Sequence, residues 1–148
     1  MNHYWEVTKH KAWVFWFCIK FCSKLMWRCF VHDASKYGVD EAPGFIKNTP
    51  LLKNLVYGSE EYKKCLEDLK PSLDHHYAVN RHHPEYFMNG GYRVMGALDR
   101  MEMIFDWMAS VKRCKGGDIL KSIDINKERF KYEDVDREWL QKIVGDVK

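Results

Sequence analysis

The sequence predicts an all-α protein, a compact helical bundle. Long stretches carry apolar residues at helical spacing, and no stretch alternates apolar with polar residues as a half-buried strand would. Gly and Pro gather in a few short segments that read as connections. The 148 residues suit one domain, and 46% hydrophobic with 15% aromatic residues can fill one core. The expectation is a single helical domain over residues 1–148.

The elements follow in order. Residues from about 2 to 20 read as a helix free of Pro and Gly, with Trp13, Val14, Phe15, Trp16, Phe17 and Ile19 apolar almost all round. Such a helix is expected to be buried and central. A second helical segment reaches His32, and the sequence leaves open whether it is separate from the first. Gly38, Pro43, Gly44 and Pro50 mark a connecting region, with a short helix expected at 51–57. Ser59-Glu60-Glu61 has the form of a helix start, an N-cap followed by acids in the first turn. That helix is expected to run toward Leu69, with Pro71 ending it or opening the next. Pro84 forbids easy helix through His83. A long helix is expected over about 92–113, with Val94, Leu98, Met101, Phe105 and Met108 on its apolar face, and two more from Asp118 and over 134–147.

Composition excludes several classes. Acids and bases are interspersed, and a net charge of +3 is too mild to argue for nucleic-acid or membrane binding. The apolar run of 12–22 is interrupted by Lys20 and is too short to span a bilayer. No small-residue cleavage site follows it, so no signal peptide is expected. Cys18, Cys22, Cys29, Cys65 and Cys114 form no CxxC pair and read as reduced core residues of a cytoplasmic protein.

The chemistry-bearing residues are the histidines and the acids near them. His32 and Asp33 are adjacent after an apolar run, where charge is costly unless paired or bound to a metal. A divalent ion takes such a nitrogen–oxygen pair well; the alternative is an Asp that caps a helix beside a core histidine. His75, His76, His82 and His83 fall within nine positions, and 75/82 and 76/83 are each seven apart, two helical turns. Four histidines flanked by Asp74, Asn80 and Arg81 suit metal or phosphate binding better than a polar turn. Asp99, Glu102 and Asp106 line one helical face, and Asp106 is flanked by apolar residues. Arg100 and Arg113 are the salt-bridge partners available to them.

In order along the chain, His10, His32-Asp33, His75/His76, His82/His83 and Asp106 resemble the HD-domain superfamily of metal-dependent phosphohydrolases. His32-Asp33-Ala34-Ser35-Lys36 matches the His-Asp-x-x-Lys spacing frequent there. More narrowly, His32-Asp33-x-Ser35-Lys36, His75-His76-x-x-x-Asn80-x-His82-His83-x-x-Tyr86 and Glu102-Met103-x-x-Asp106-Trp107 are similar to a family of small uncharacterised proteins common in phages, over about residues 10–130. The resemblance implies that His10, His32, Asp33 and Asp106 coordinate a metal, with His3 as the alternative first histidine and Asp99 or Glu102 as alternatives to Asp106. It implies a second ion held by one of His75/His76 and one of His82/His83, with Asp33 bridging. The seven-residue spacing favours His76 with His83, which leaves His75 and His82 to orient the ligands.

The expected function is a cytoplasmic phosphohydrolase that carries one or two divalent transition-metal ions, Mn, Fe, Co, Ni or Zn. Its substrate would be a nucleotide or other small phosphoester, attacked by a metal-activated water. Asp33, Lys36 and Arg81 are the expected catalytic residues, with Lys36 and Arg81 on phosphate oxygens. Alternatives are a di-iron oxygenase of the same superfamily and a non-catalytic metal-containing module that binds a nucleotide or a protein. The sequence leaves a homo-oligomer open.

Overall fold

The computed structural model describes residues 2–55, 59–113 and 116–147. The chain forms α1 (His3–Phe30), α2 (Ala42–Leu52), α3 (Glu60–Val79), α4 (Ala97–Arg113), α5 (Ile119–Phe130) and α6 (Asp134–Val147). Tight 3-10 turns at Ala34–Tyr37 and Pro84–Val94 join them. Among the described residues there is no strand, and the fold is all-α as expected. The chain divides into two compact units, Met1–His32 and Asp33–Lys148.

The first unit is α1. Asn2 caps it by accepting the Tyr4 N–H at 3.1 Å, and with no Gly or Pro inside, its 28 residues run unbroken. The two helical segments of the sequence are therefore one. The expectation of a buried central helix is corrected, because α1 has no buried residue. Cys18, Cys22 and Cys29 on it are exposed, against the core reading, while Cys65 is buried; Cys114 lies outside the described residues. Among the described residues no helix is long and apolar enough to cross a membrane.

The second unit holds the hydrophobic core. Met103, Ile104 and Trp107 of α4 pack with Ile119 and Ile123 of α5, Leu140 and Val144 of α6, and Tyr92, Met95 and Tyr132 of the connections. Full burial of a side chain such as Ile123 or Leu140 contributes about 1.5–3 kcal/mol. The inward face of α4 is Asp99, Glu102, Met103, Ile104 and Trp107, not the expected stripe. Leu98, Met101, Phe105 and Met108 are half-buried, and Val94 is exposed. The helix starts five residues later than expected because the chain from 84 to 94 is wound into 3-10 turns with positive φ at Met88 and Gly91.

Helices α2 and α3 carry one wall of the site. Pro43 lies in the first turn of α2, where its fixed φ suits a helix start. The short helix expected over 51–57 is thus found earlier, and 56–58 lie outside the described residues. Gly44 allows α2 to lie against α3, since a Cβ there would stand 2.2 Å from Ser72 Oγ. Buried Asn48 donates to Asp68 Oδ2 at 2.8 Å. Ser59 caps α3 by accepting the Tyr62 N–H at 3.1 Å, as its sequence predicts. Contrary to expectation, α3 passes through Pro71 without ending and reaches Val79. Asp118 caps α5 and Asp134 opens α6, both as expected.

Candidate metal centre

The site is built where the α3 C-terminus, the turn after it and the turn before α2 meet inside the second unit. Asp33 has left-handed backbone, φ 57°, which Asp tolerates better than most residues. It makes no side-chain cap bond, so the capping alternative fails. His76, near the end of α3, and His82, after it, are both about 2% exposed. Asn80 ends the helix, and the His83 N–H bonds back to the Asn80 carbonyl at 3.1 Å. That turn folds both second histidines back onto the helix end.

Four ligand-type side chains converge there. Asp33 Oδ1 lies 3.3 Å from His76 Nε2 and 3.4 Å from His82 Nε2. His83 Nε2 is 2.9 Å from His76 Nε2. One donor atom from each of Asp33, His76, His82 and His83 lies within 4.8 Å of the others. A carboxylate oxygen of Asp106 on α4 is within 4.8 Å of one on Asp33. The expected pair His76/His83 is thus brought together, by a turn and not by two turns of continuing helix. His82 joins them as a third imidazole.

Two buried carboxylates grip the far side of these rings. His76 Nδ1 donates to Glu41 Oε2 at 2.8 Å, and Glu41 is fully buried. His82 Nδ1 faces Glu102 Oε1 at 3.3 Å. Each ring therefore turns Nδ1 to a carboxylate and Nε2 to the centre, the arrangement that fixes histidine as a metal ligand. His75 lies outside the centre, its Nδ1 donating to Glu41 Oε1 at 2.9 Å, so one carboxylate holds both adjacent histidines.

The electrostatics favour a cation. Burial would raise the Asp33 carboxyl, but hydrogen bonds with His76, His82 and Lys36 outweigh it and hold the group far below the usual carboxylate range. For Glu41 burial is likewise outweighed, by His75, Ser35 and His76. His83 is pushed down to about 3 by burial and by the neighbouring His82 and His76, which keeps its ring neutral and able to ligate. His76 and His82 each lie between two carboxylates. A carboxylate facing an imidazole lone pair is repelled unless a positive charge sits between them. A ring proton or a divalent ion supplies that charge, and three imidazoles with two carboxylates are a fitting donor set for a transition metal.

The expected phosphate-holding cations are otherwise engaged. Lys36 Nζ lies 2.5 Å from Asp33 Oδ2 and over the Phe45 ring. Arg81 donates from Nε and a terminal nitrogen to the two oxygens of buried Asp99, each at 3.2 Å, and its guanidinium lies over Tyr86 and Phe87. Asp99 also accepts the Gly96 N–H at 2.9 Å. Arg81 and Asp99 therefore lock the turn after α3 to the start of α4. Asp99 is in none of the candidate ligand groups, whereas Glu102 is in one, with His82, whose Nδ1 it faces.

His32 is the last residue of the first unit, one peptide bond from Asp33. His10 stands on the exposed face of α1. Twenty residues of unbroken helix separate His10 from Phe30, about 30 Å of rise. His10 and His32 of one chain therefore cannot share an ion, and His3 is farther still. Glu41 was not foreseen. It sits with Asp40 in a Gly- and Pro-bearing connection that reads as solvated, and no local spacing marks it.

No curated protein and no solved structure matches the chain. Residues 1–146 match one family, described as a family of unknown function (DUF5662). Matched over nearly its whole length, the chain belongs to the DUF5662 family.

Proposed function

We propose that the centre around Asp33 binds a divalent transition metal and hydrolyses a small phosphoester. The observation that carries this is the convergence of His76 and His82 on Asp33 Oδ1, each aimed from behind by Glu41 or Glu102, with the His83 ring against His76. Asp33, His76, His82 and His83 would hold one ion, and Asp106, near Asp33, would help to hold a second. A bound divalent ion brings the pKa of water to about 7 and neutralises phosphoryl charge. Lys36, on the other Asp33 oxygen, would temper the carboxylate charge. In the hydrolysis, a bond forms from water oxygen to phosphorus and the ester P–O bond breaks. The alcohol leaves carrying one proton.

Metal analysis of purified protein, joined to a phosphate-release screen over nucleotides and simple phosphoesters, tests this. Bound metal with turnover that chelator abolishes is the expected result. Absence of phosphate release with every one of Mn, Fe, Co, Ni and Zn would end the hydrolase reading. One observation favours a second reading. Two or three imidazoles with one carboxylate is also a donor set that non-haem iron takes in oxygenases. Oxygen uptake after anaerobic loading with ferrous iron, without phosphate release, would identify that chemistry.

A further inference from the structure

We propose that Ser35 and Asn80 act as one positioning pair for the metal centre, holding the segments that carry Asp33, His76 and His83 in register. The proposal rests on the metal-binding half of the reading above and not on the hydrolysis.

The backbone does not call for asparagine at position 80. Asn often ends a helix in the left-handed conformation, but Asn80 caps α3 with φ −107° and ψ 110°, extended backbone that any residue adopts. What the position uses is the side-chain amide. Its Nδ2 donates to the His76 carbonyl at 2.9 Å and to Ser35 Oγ at 2.7 Å, and it stands 3.0 Å from His76 Nδ1. An ionised Asp, of nearly the same shape, has no donor for either bond. The Asn80 backbone N–H bonds to the same His76 carbonyl at 3.1 Å, and the Asn80 carbonyl accepts the His83 N–H at 3.1 Å.

Ser35 completes the link. It lies in the 3-10 turn that Asp33 opens, two residues past that ligand. The Lys36 N–H closes the turn by bonding to the Asp33 carbonyl at 2.9 Å. Ser35 Oγ accepts from Asn80 and gives its own proton to Glu41. It also lies 3.4 Å from His76 Nδ1. A closed ring of hydrogen bonds thus runs from His76 to Glu41, to Ser35, to Asn80 and back to His76. Such a network is worth more than its separate bonds. Ligands must be held within about 0.5 Å of their working geometry, and this ring joins the segments of three of the four.

Titration of the full chain with cobalt(II), followed by the visible bands of the bound ion, tests the pair. Asn80→Ala and Ser35→Ala should each weaken cobalt binding by roughly 10–100-fold and shift the bands. Ser35→Thr keeps the hydroxyl and should stay close to wild type. The double variant should bind within about twofold of the weaker single variant, because the two residues act as one unit. Leu140→Ala, altered in the hydrophobic core, should keep wild-type affinity and bands at temperatures where it is folded, which separates positioning from a general loss of stability. Single variants with wild-type affinity and bands would overturn the proposal. So would additive losses in the double variant, or an equal loss in Leu140→Ala. In each of those cases wild type still binds cobalt and the metal reading survives; wild type without cobalt bands would overturn both together.

Discussion

Glu41 Oε2 accepts a hydrogen bond from His76 Nδ1 at 2.8 Å, and the opposite nitrogen of that ring points at Asp33. Both partners are almost completely buried, so the bond fixes the ring where water cannot compete. The other oxygen of Glu41 holds His75. A residue that coordinates nothing thereby sets the direction of the centre.

Replacing Glu41 by Ala should therefore weaken metal binding by roughly 10–100-fold, the usual cost of losing the group behind a ligating histidine. It should also cost about 1–3 kcal/mol of stability, because a buried imidazole N–H loses its acceptor. Glu41→Gln keeps an acceptor oxygen but can satisfy only one of the two rings as Glu41 does, and should fall between the wild type and Ala. Competition titration against a chromophoric chelator, together with chemical denaturation, reads both effects. Unchanged affinity in the Ala variant would mean that His76 is held by its packing alone.

Stability of the metal-free protein should fall as pH drops below about 6.5. His83 binds its proton in the folded state only near pH 3, whereas the unfolded chain binds it near pH 6.5. Between those values the unfolded state holds the extra proton, so acid favours unfolding, by up to about 1.4 kcal/mol per pH unit. The depressed Asp33 and Glu41 carboxyls act at lower pH, their stabilisation being lost only as pH falls below the ordinary carboxylate range. Urea midpoints at pH 7 and pH 5 should differ clearly in the wild type and less in His83→Gln. Equal slopes in the two proteins would contradict the burial of a neutral ring.

Arg81 should behave as a structural residue. Its two hydrogen bonds to Asp99 tie the His82-His83 turn to α4, and Asp99 is buried. Arg81→Met leaves that carboxylate without its cation, a loss of about 3–5 kcal/mol when such a pair is fully buried and less here because Arg81 is half exposed. Thermal unfolding should shift down, and Asp99→Asn in the same chain should recover part of the loss. A large fall in substrate affinity with unchanged unfolding temperature would restore the expected phosphate contact.

The core offers a control away from the centre. Ile123 and Leu140 are fully buried, and Leu140→Ala should cost about 2–5 kcal/mol without changing metal affinity at temperatures where the variant is folded.

How much of this was legible depends on how local the signal is. Ser59, Asp118 and the acids that open α6 act within one turn of themselves, and their helices start where the sequence places them. His76 and His83 were paired from spacing alone, although the α3 end and its turn, not a continuous helix, bring them together. Glu41 was illegible because what distinguishes it is the approach of α2 to α3 at Gly44, which is a tertiary fact. The pairing of Arg81 was illegible for a similar reason, since its partner Asp99 lies eighteen positions away on another element. The apolar stretch of α1 read as core because all-round hydrophobicity signals burial without saying against what.

The most direct test is the metal content of wild type and Asp33→Asn, purified side by side and measured by elemental analysis. Asn keeps the size of the side chain and tolerates the left-handed backbone that position 33 requires, so the fold should persist while the anionic ligand is lost. The account predicts at least one transition-metal ion per wild-type chain and a loss of roughly tenfold or more in the variant, with the helical signal unchanged. Equal metal content in the two proteins, or none in wild type after reconstitution with any of the five metals, would contradict it.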